Sequence, residues 1–490
     1  MDTSITGTSG SRHSTAAPPL LSTARGRFTL TLLCAVAFLD FVDASIVNIA
    51  LPDIRSDLDF SVQQLQWVPS GYLVTYGGFM LLGGRLADLL GRRRVLVAGT
   101  VVIGLSSLAG GFAGNAEILI GARLAQGVGA ALMLPAALSI LTTTFEEGSE
   151  RHTALGVWAG VGGLASAVGV FLGGVLTEGP GWRWVLFVNP VACALVLPAV
   201  YALIPDDRRR ARFADFDLVG GALGTGGMLM FVYALVEAPD QGWGSARTIG
   251  ALAGAFVLIA AFVVNEQRSP DPLLPLSIFR INGLAAANVT GLIAFAGLLA
   301  MFFFLTLYMQ NVLGYSPMQT GAAYLPLCLG VGVAAGLCSQ LLTRIGTRPV
   351  TVVGALVAAA GLFYLSRIPV DGSYLADLFP GLMIVSLGLG AVFVGVTTAA
   401  NAGVPADEAG LAAALLNASQ QVGSALGLAI FAAIATSYSQ RLLAANSPVP
   451  EALTFGFQRA LLTGSIFLAA AALIALRTGN AHGDGERRTE

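Results

Sequence analysis

Three ionisable side chains sit where an apolar chain has no ordinary use for them. Residues 38–52 read FLDFVDASIVNIALP, so Asp40 and Asp43 fall inside an apolar run that extends from Phe28 to Pro52. Arg123 falls inside a second run, 117–141, and is the only arginine well within such a run. Asp40 and Asp43 are three residues apart and therefore share one helix face. A charge at mid-membrane costs at least about 2.5–3.5 kcal/mol, so such a group must face a partner or a wet cavity. Burial favours the neutral form of a carboxyl, which suits a group that loads and releases protons near neutral pH. Arg123 lies six residues from Glu117 and Asp43 eight from Leu51. At about 1.5 Å per helical residue these are similar depths. The two could pair, and a proton on Asp43 would then weaken its hold on Arg123. Asp40 could bind a cationic substrate or share the proton.

The rest of the chain supplies apolar helices to hold these groups. Its 490 residues are 55% hydrophobic and 11% charged, with mean hydropathy +0.76. A soluble domain carries about 25% charged residues, so this composition predicts a polytopic membrane protein. The net charge of −2 gives no sign of a nucleic-acid partner. All 26 basic residues are arginine, which reads as a GC-rich bacterial coding bias. The four cysteines (Cys34, Cys193, Cys328, Cys338) lie in apolar runs without metal or disulfide spacing, and the three histidines (His13, His152, His482) lie in tails or loops. No nucleophile, base and metal cluster points to an enzyme. A chain without lysine has no phosphate-binding loop of the Gly-rich, lysine-bearing type, so ATP is not the driver.

About 20 apolar residues of helix cross a bilayer core of about 30 Å. Runs of that kind occur near 28–51, 67–86, 95–114, 117–141, 153–176, 183–204, 217–236, 246–264, 283–309, 320–342, 349–368, 375–399, 408–436 and 456–476, which predicts fourteen spans. With the N-terminus inside, nineteen arginines fall on the inner side and six on the outer. That bias follows the positive-inside rule and puts both termini in the cytoplasm of a bacterial inner membrane. Residues 1–27 read as a disordered tail and 477–490 as a second tail.

The chain also repeats. RLADLLGRRRVLVAG (85–99) aligns without gaps to QLLTRIGTRPVTVVG (340–354), and the same offset pairs LDFSVQQ (58–64) with LGYSPMQ (313–319). Spans 1–6 (28–204) and 9–14 (283–476) are therefore two six-helix bundles, with spans 7–8 inserted in 205–282. Duplicated helical halves mark transporters, with the substrate site at their interface. The position in the second half that corresponds to Arg123, near Ile384, is apolar, so proton chemistry belongs to the N-half.

Four motifs resemble the major facilitator superfamily. They are GRLADLLGRRR (84–94), RLAQGVGAA (123–131), WAGVGGLASAVGVFLGG (158–174) and DASIVNIALP (43–52). With fourteen spans, the chain resembles the drug:proton antiporter subfamily of that length. The resemblance implies a major facilitator fold and export of amphipathic or cationic drugs by alternating access. It also matches Asp43 to the family's position for proton coupling, with Asp40 an additional acid and Arg123 the candidate partner of Asp43 by depth, and implies no cofactor beyond the proton gradient. It makes Gly84, Asp88, Gly91, Arg92 and Arg93 a conformational latch, and Gly169, Gly173 and Gly174 helix-packing residues. Asn48, Gln126, Trp158, Tyr308, Gln310, Asn417, Gln420 and Gln421 are candidates to line the cavity. Trp67 and Phe302–Phe304 could offer aromatic surfaces. Two departures stand out: Leu89 replaces a usual basic residue, and Val170 replaces a usual proline. The alternative function is dedicated export of one metabolite or antibiotic. The partners are small substrates, protons and lipid, and the chain is expected to be a monomer.

Overall fold

The structure is a computed structural model that describes residues 20–145, 149–206, 217–270, 272–404 and 409–480. Among these are fourteen helices of nineteen residues or more. In chain order they are α1 (Ala24–Asp57), α2 (Trp67–Leu90), α3 (Arg92–Gly111), α4 (Ala116–Thr144), α5 (Ser149–Glu178), α6 (Arg183–Leu203) and α7 (Leu218–Gln241). The second seven are α8 (Ala246–Arg268), α9 (Leu284–Asn311), α10 (Pro317–Ile345), α11 (Thr347–Leu365), α12 (Phe379–Asn401), α13 (Ala409–Ala444) and α14 (Val449–Ala475). By length and composition thirteen can cross a membrane; the other, α2, is 24 residues long.

Helix ends overrun the apolar runs because an exposed turn of helix needs capping more than hydrophobicity. α1 begins inside the stretch expected to be a disordered tail. Thr23 caps it by accepting from the Gly26 N–H, and the Leu21 N–H donates to Glu150 at the start of α5. The second tail is likewise ordered through Asn480, where backbone carbonyls of Thr478 and Gly479 receive Arg348 and Thr347. Residues 1–19 and 481–490 lie outside the described residues, as do Arg208, Arg209, Arg210 and Arg212.

The internal repeat has a physical counterpart at three levels. Ser61 and Ser316 each form a capping box, with Gln64 and Gln319, before α2 and α10. Gly91 and Gly346 each turn the chain at positive φ, +98° and +87°, between the second and third helices of their halves. Arg93 and Arg348 then reach back to the carboxyl end of the last helix of their own half. Arg93 donates to Ile204 O at 3.1 Å, and Arg348 to Thr478 O at 2.8 and 3.0 Å. The free carbonyls at a helix end carry partial negative charge, so a guanidinium is well placed there.

The halves meet along two helix pairs, α2 with α13 and α5 with α10. At the ends taken as outer from the arginine asymmetry, Gln310 donates to Ile49 O at 2.9 Å, and the Met318 N–H donates to Glu178 at 3.1 Å. The inserted helix α7 packs on both α2 and α13.

Candidate functional site

Asp40 and Asp43 are each 2% exposed and Arg123 1%. The Arg123 guanidinium donates from one nitrogen to Asp43 Oδ2 at 3.0 Å and to Gln126 Oε1 at 3.0 Å, and from Nε to Val68 O at 3.0 Å. Gln126 Nε2 completes a ring of contacts by donating to Asp43 Oδ1 at 3.1 Å and to Ser107 Oγ at 2.6 Å. Asn189 also donates to Asp43 Oδ1 and, at 3.2 Å, to Ser107 Oγ. Side chains of four helices of the N-half (α1, α3, α4 and α6) therefore meet in one network around this carboxylate, Ser107 of α3 accepting from the two amides. The carboxylate's negative charge is matched by one cation and two amides.

Asp40 has a different shell. Tyr76 donates to one of its oxygens at 2.8 Å and Tyr72 to the other at 3.2 Å. No arginine pairs with it among the described residues. Tyr72 touches both acids' surroundings, because the Arg123 guanidinium carbon lies 4.4 Å from the centre of its ring. The cation is thus held on one side by Asp43 and on another by a π face.

The local sequence explains this convergence. Gln126 follows Arg123 by three residues, so both side chains leave α4 on one face, and Tyr72 and Tyr76 share a face of α2 in the same way. Small residues let the helices close around them. A Cβ on Gly127 would run into the α2 backbone at Tyr72, and one on Gly99 would come within 2.7 Å of Gly129 O. The span-5 glycines serve similar approaches. A side chain at Gly169 would clash with Ser45, one at Gly173 would lie 2.6 Å from Ile46 O, and one at Gly174 2.7 Å from Pro317 O. The first two bring α5 onto α1, and the third brings it onto α10 of the other half.

Several residues sit elsewhere than the cavity to which they were assigned. Gln126 belongs to the charge network. Tyr308 is fully buried and donates to Pro369 O at 2.6 Å, which ties α9 to the loop between α11 and α12 of its own half. Gln310 joins the halves at the outer end. Asn48 donates to Ala44 O on its own helix, and the exposed Asn417 does the same to Ala413 O. Gln421 lies where α13 meets Gly77 of α2, and Gln420 is buried with its amide nitrogen unpartnered. Trp158 is half-buried on α5. Trp67 lines an apolar pocket of about 490 Å³ with Ile120, Leu124, Leu229, Met230 and Tyr233. Phe303 and Phe304 are core residues.

Two of the residues expected to form a latch have partners within the N-half. Arg92 donates to Thr143 at 2.8 Å at the end of α4, and Arg93 pairs with Asp206 at 3.3 Å as well as capping α6. A Cβ at Gly84 would meet nothing closer than 3.9 Å, so packing alone does not demand a glycine there. The Asp88 side chain lies outside the described residues. Tyr72, Tyr76, Ser107 and Asn189 complete the site without being among the residues that the sequence singles out. The signal was present as a tyrosine pair four apart and as isolated polar residues inside apolar runs.

A family model described as Major Facilitator Superfamily matches residues 33–428. The chain is 42% identical over 435 residues to a puromycin resistance protein of Streptomyces alboniger, covering 87% of this chain and 85% of that one. It is 36% identical to a cephamycin export protein of Amycolatopsis lactamdurans, covering 91% of each chain. A multidrug resistance protein of Mycobacterium tuberculosis is 35% identical, over 82% of this chain and 74% of that one. Among solved structures, a bacterial homologue of the human lysosomal transporter Spinster, in an inward-facing and occupied conformation, superposes with a TM-score of 0.65. It is 16% identical and covers 92% of this chain and 96% of that one.

Proposed function

The chain belongs to the major facilitator superfamily of membrane transporters, and from that premise we propose that it exports amphipathic, often cationic, antibiotic-like compounds in exchange for protons. The observation that carries the coupling is the buried cluster of two carboxylates and one arginine at the centre of the N-half. Removing one partner from a buried ion pair leaves an uncompensated charge and costs about 3–5 kcal/mol. A change of protonation at such a cluster therefore carries enough free energy to favour one arrangement of the two halves over another. Both termini lie in the cytoplasm in this reading, and the chain works as a monomer. Proton binding from outside and release inside accompany each export cycle.

A dedicated exporter is the second reading. It is favoured by relatives named for single compounds, among them puromycin and cephamycin. Overproduction in a sensitive bacterium challenged with a panel of unrelated antibiotics and dyes separates the two. Protection against many compounds supports polyspecific export, and protection against one supports the dedicated form. For coupling, puromycin uptake by inverted vesicles is expected to stop when the pH gradient is collapsed. Uptake that continues unchanged, with no other ion replacing the proton, would falsify the coupling.

A further inference from the structure

The two buried acids are not equivalent, and the difference divides the labour between them. We infer that Asp40 is the group that gains and loses the proton, that Asp43 stays ionised as the fixed partner of Arg123, and that Tyr72 is the positioning residue joining the two. This inference rests on the proton-coupled reading above and deepens it.

Asp43 receives a guanidinium and two amides, so its charge is balanced and its oxygens are occupied. Protonating it would orphan Arg123, a buried cation with no other acid among the described residues. Among the described residues Asp40 receives only two phenols. The titratable and charged groups around the site are Asp43 one turn along α1, Tyr72 and Tyr76 on α2, Arg123 on α4, and Cys193 on α6 near Asp43. None offers Asp40 a paired cation. An isolated buried carboxylate neutralises itself rather than remain charged, while a carboxyl and two phenols can hydrogen-bond in either protonation state. In the step proposed, a proton from outer water forms an O–H bond on the Asp40 carboxylate. The same bond breaks later, and the proton passes to inner water.

Tyr72 can report that event because its hydroxyl is on Asp40 and its ring is under Arg123. α2 can transmit it because Gly77, adjacent to Tyr76, packs directly against α13. A Cβ there would lie 3.0 Å from Val422 and 3.1 Å from Ala418 O. A shift of the tyrosines is therefore felt directly at the seam between the halves.

The test is infrared difference spectroscopy of the purified full-length protein between acid and alkaline pH, following the carbonyl stretch of a protonated carboxyl. One component of that band, over those of the other carboxyls, should be missing in Asp40→Asn. In Tyr72→Phe and Tyr76→Phe it should be displaced, with the pH of half-intensity moved by about half to one unit, the worth of one hydrogen bond. Tyr324→Phe, a buried tyrosine of α10 whose hydroxyl binds Phe302 O, should leave the band and its midpoint as in wild type. A band identical in wild type and Asp40→Asn, or an Asp40 component that neither tyrosine variant moves, overturns the inference. If the band behaves as expected while puromycin export by vesicles ignores a collapsed pH gradient, the coupled-export reading fails and the assignment of the titrating acid stands.

Discussion

The two six-helix halves share a scaffold and differ at its centre. Each begins its second helix with a capping box, turns at a positive-φ glycine and clamps its last helix with an arginine. At mid-depth the N-half holds two acids and a cation, whereas the C-half holds the neutral hydroxyl pair Thr306 and Tyr324, 3.2 Å apart, beneath buried phenylalanines. Features that set helix ends and crossings are doubled because both bundles need them. Among the described residues the buried charged cluster is single, so only the N-half carries a group whose charge a proton would change.

The sharpest way to break this contrast is to remove a charge from the N-half. Asp43→Asn or Arg123→Gln should abolish transport in vesicles and lower stability by about 3–5 kcal/mol, read as a fall in the thermal midpoint of the detergent-solubilised protein. The double variant should regain much of the midpoint but no transport. Next come the shared turns. Gly91→Ala and Gly346→Ala should each cost about 1–3 kcal/mol, since neither backbone conformation suits a residue with a Cβ. Similar losses in the two variants would support one scaffold used twice, while a loss at only one would count against it.

The arginine clamps sharpen the comparison further. Arg93→Gln and Arg348→Gln should each cost about 1 kcal/mol in the same assay, with Arg93 the larger because it also loses Asp206. The smallest effect is reserved for the outer rim. Arg183→Gln breaks an exposed pair with Asp57, 39% and 44% exposed, and should change stability by less than about 1 kcal/mol. A larger change there would mean that the rim, not the centre, sets the difference between the halves.

Much of this was legible in the sequence for a simple reason. Apolar length announces a spanning helix, and the 255-residue offset between Gly91 and Gly346 announces the duplication. The pairing of Asp43 with Arg123 could be anticipated from depth alone, because straight helices convert residue number into height. Azimuth is harder. Asn189, Ser107 and Tyr72 reach the same point from three further helices, and their directions depend on how those helices rotate about their axes. The same ambiguity placed Gln126 and Tyr308 in a cavity, although one joins the ion pair and the other braces the loop between α11 and α12. Arg93 reads as part of a conformational latch because sequence shows a charge cluster but not which helix end it faces.

The inserted helix α7 rests against α2 and α13 together; a side chain at Gly78 would meet Thr225, and one at Gly221 would meet Leu82. It therefore roofs one of the two lines along which the bundles touch, and among the described residues nothing comparable roofs the α5–α10 line. The molecule thus has a walled flank and a bare one within the plane of the bilayer. The seam between the bundles is therefore shielded from the surrounding lipid by a third helix on the first flank and bordered by its own two helices on the second.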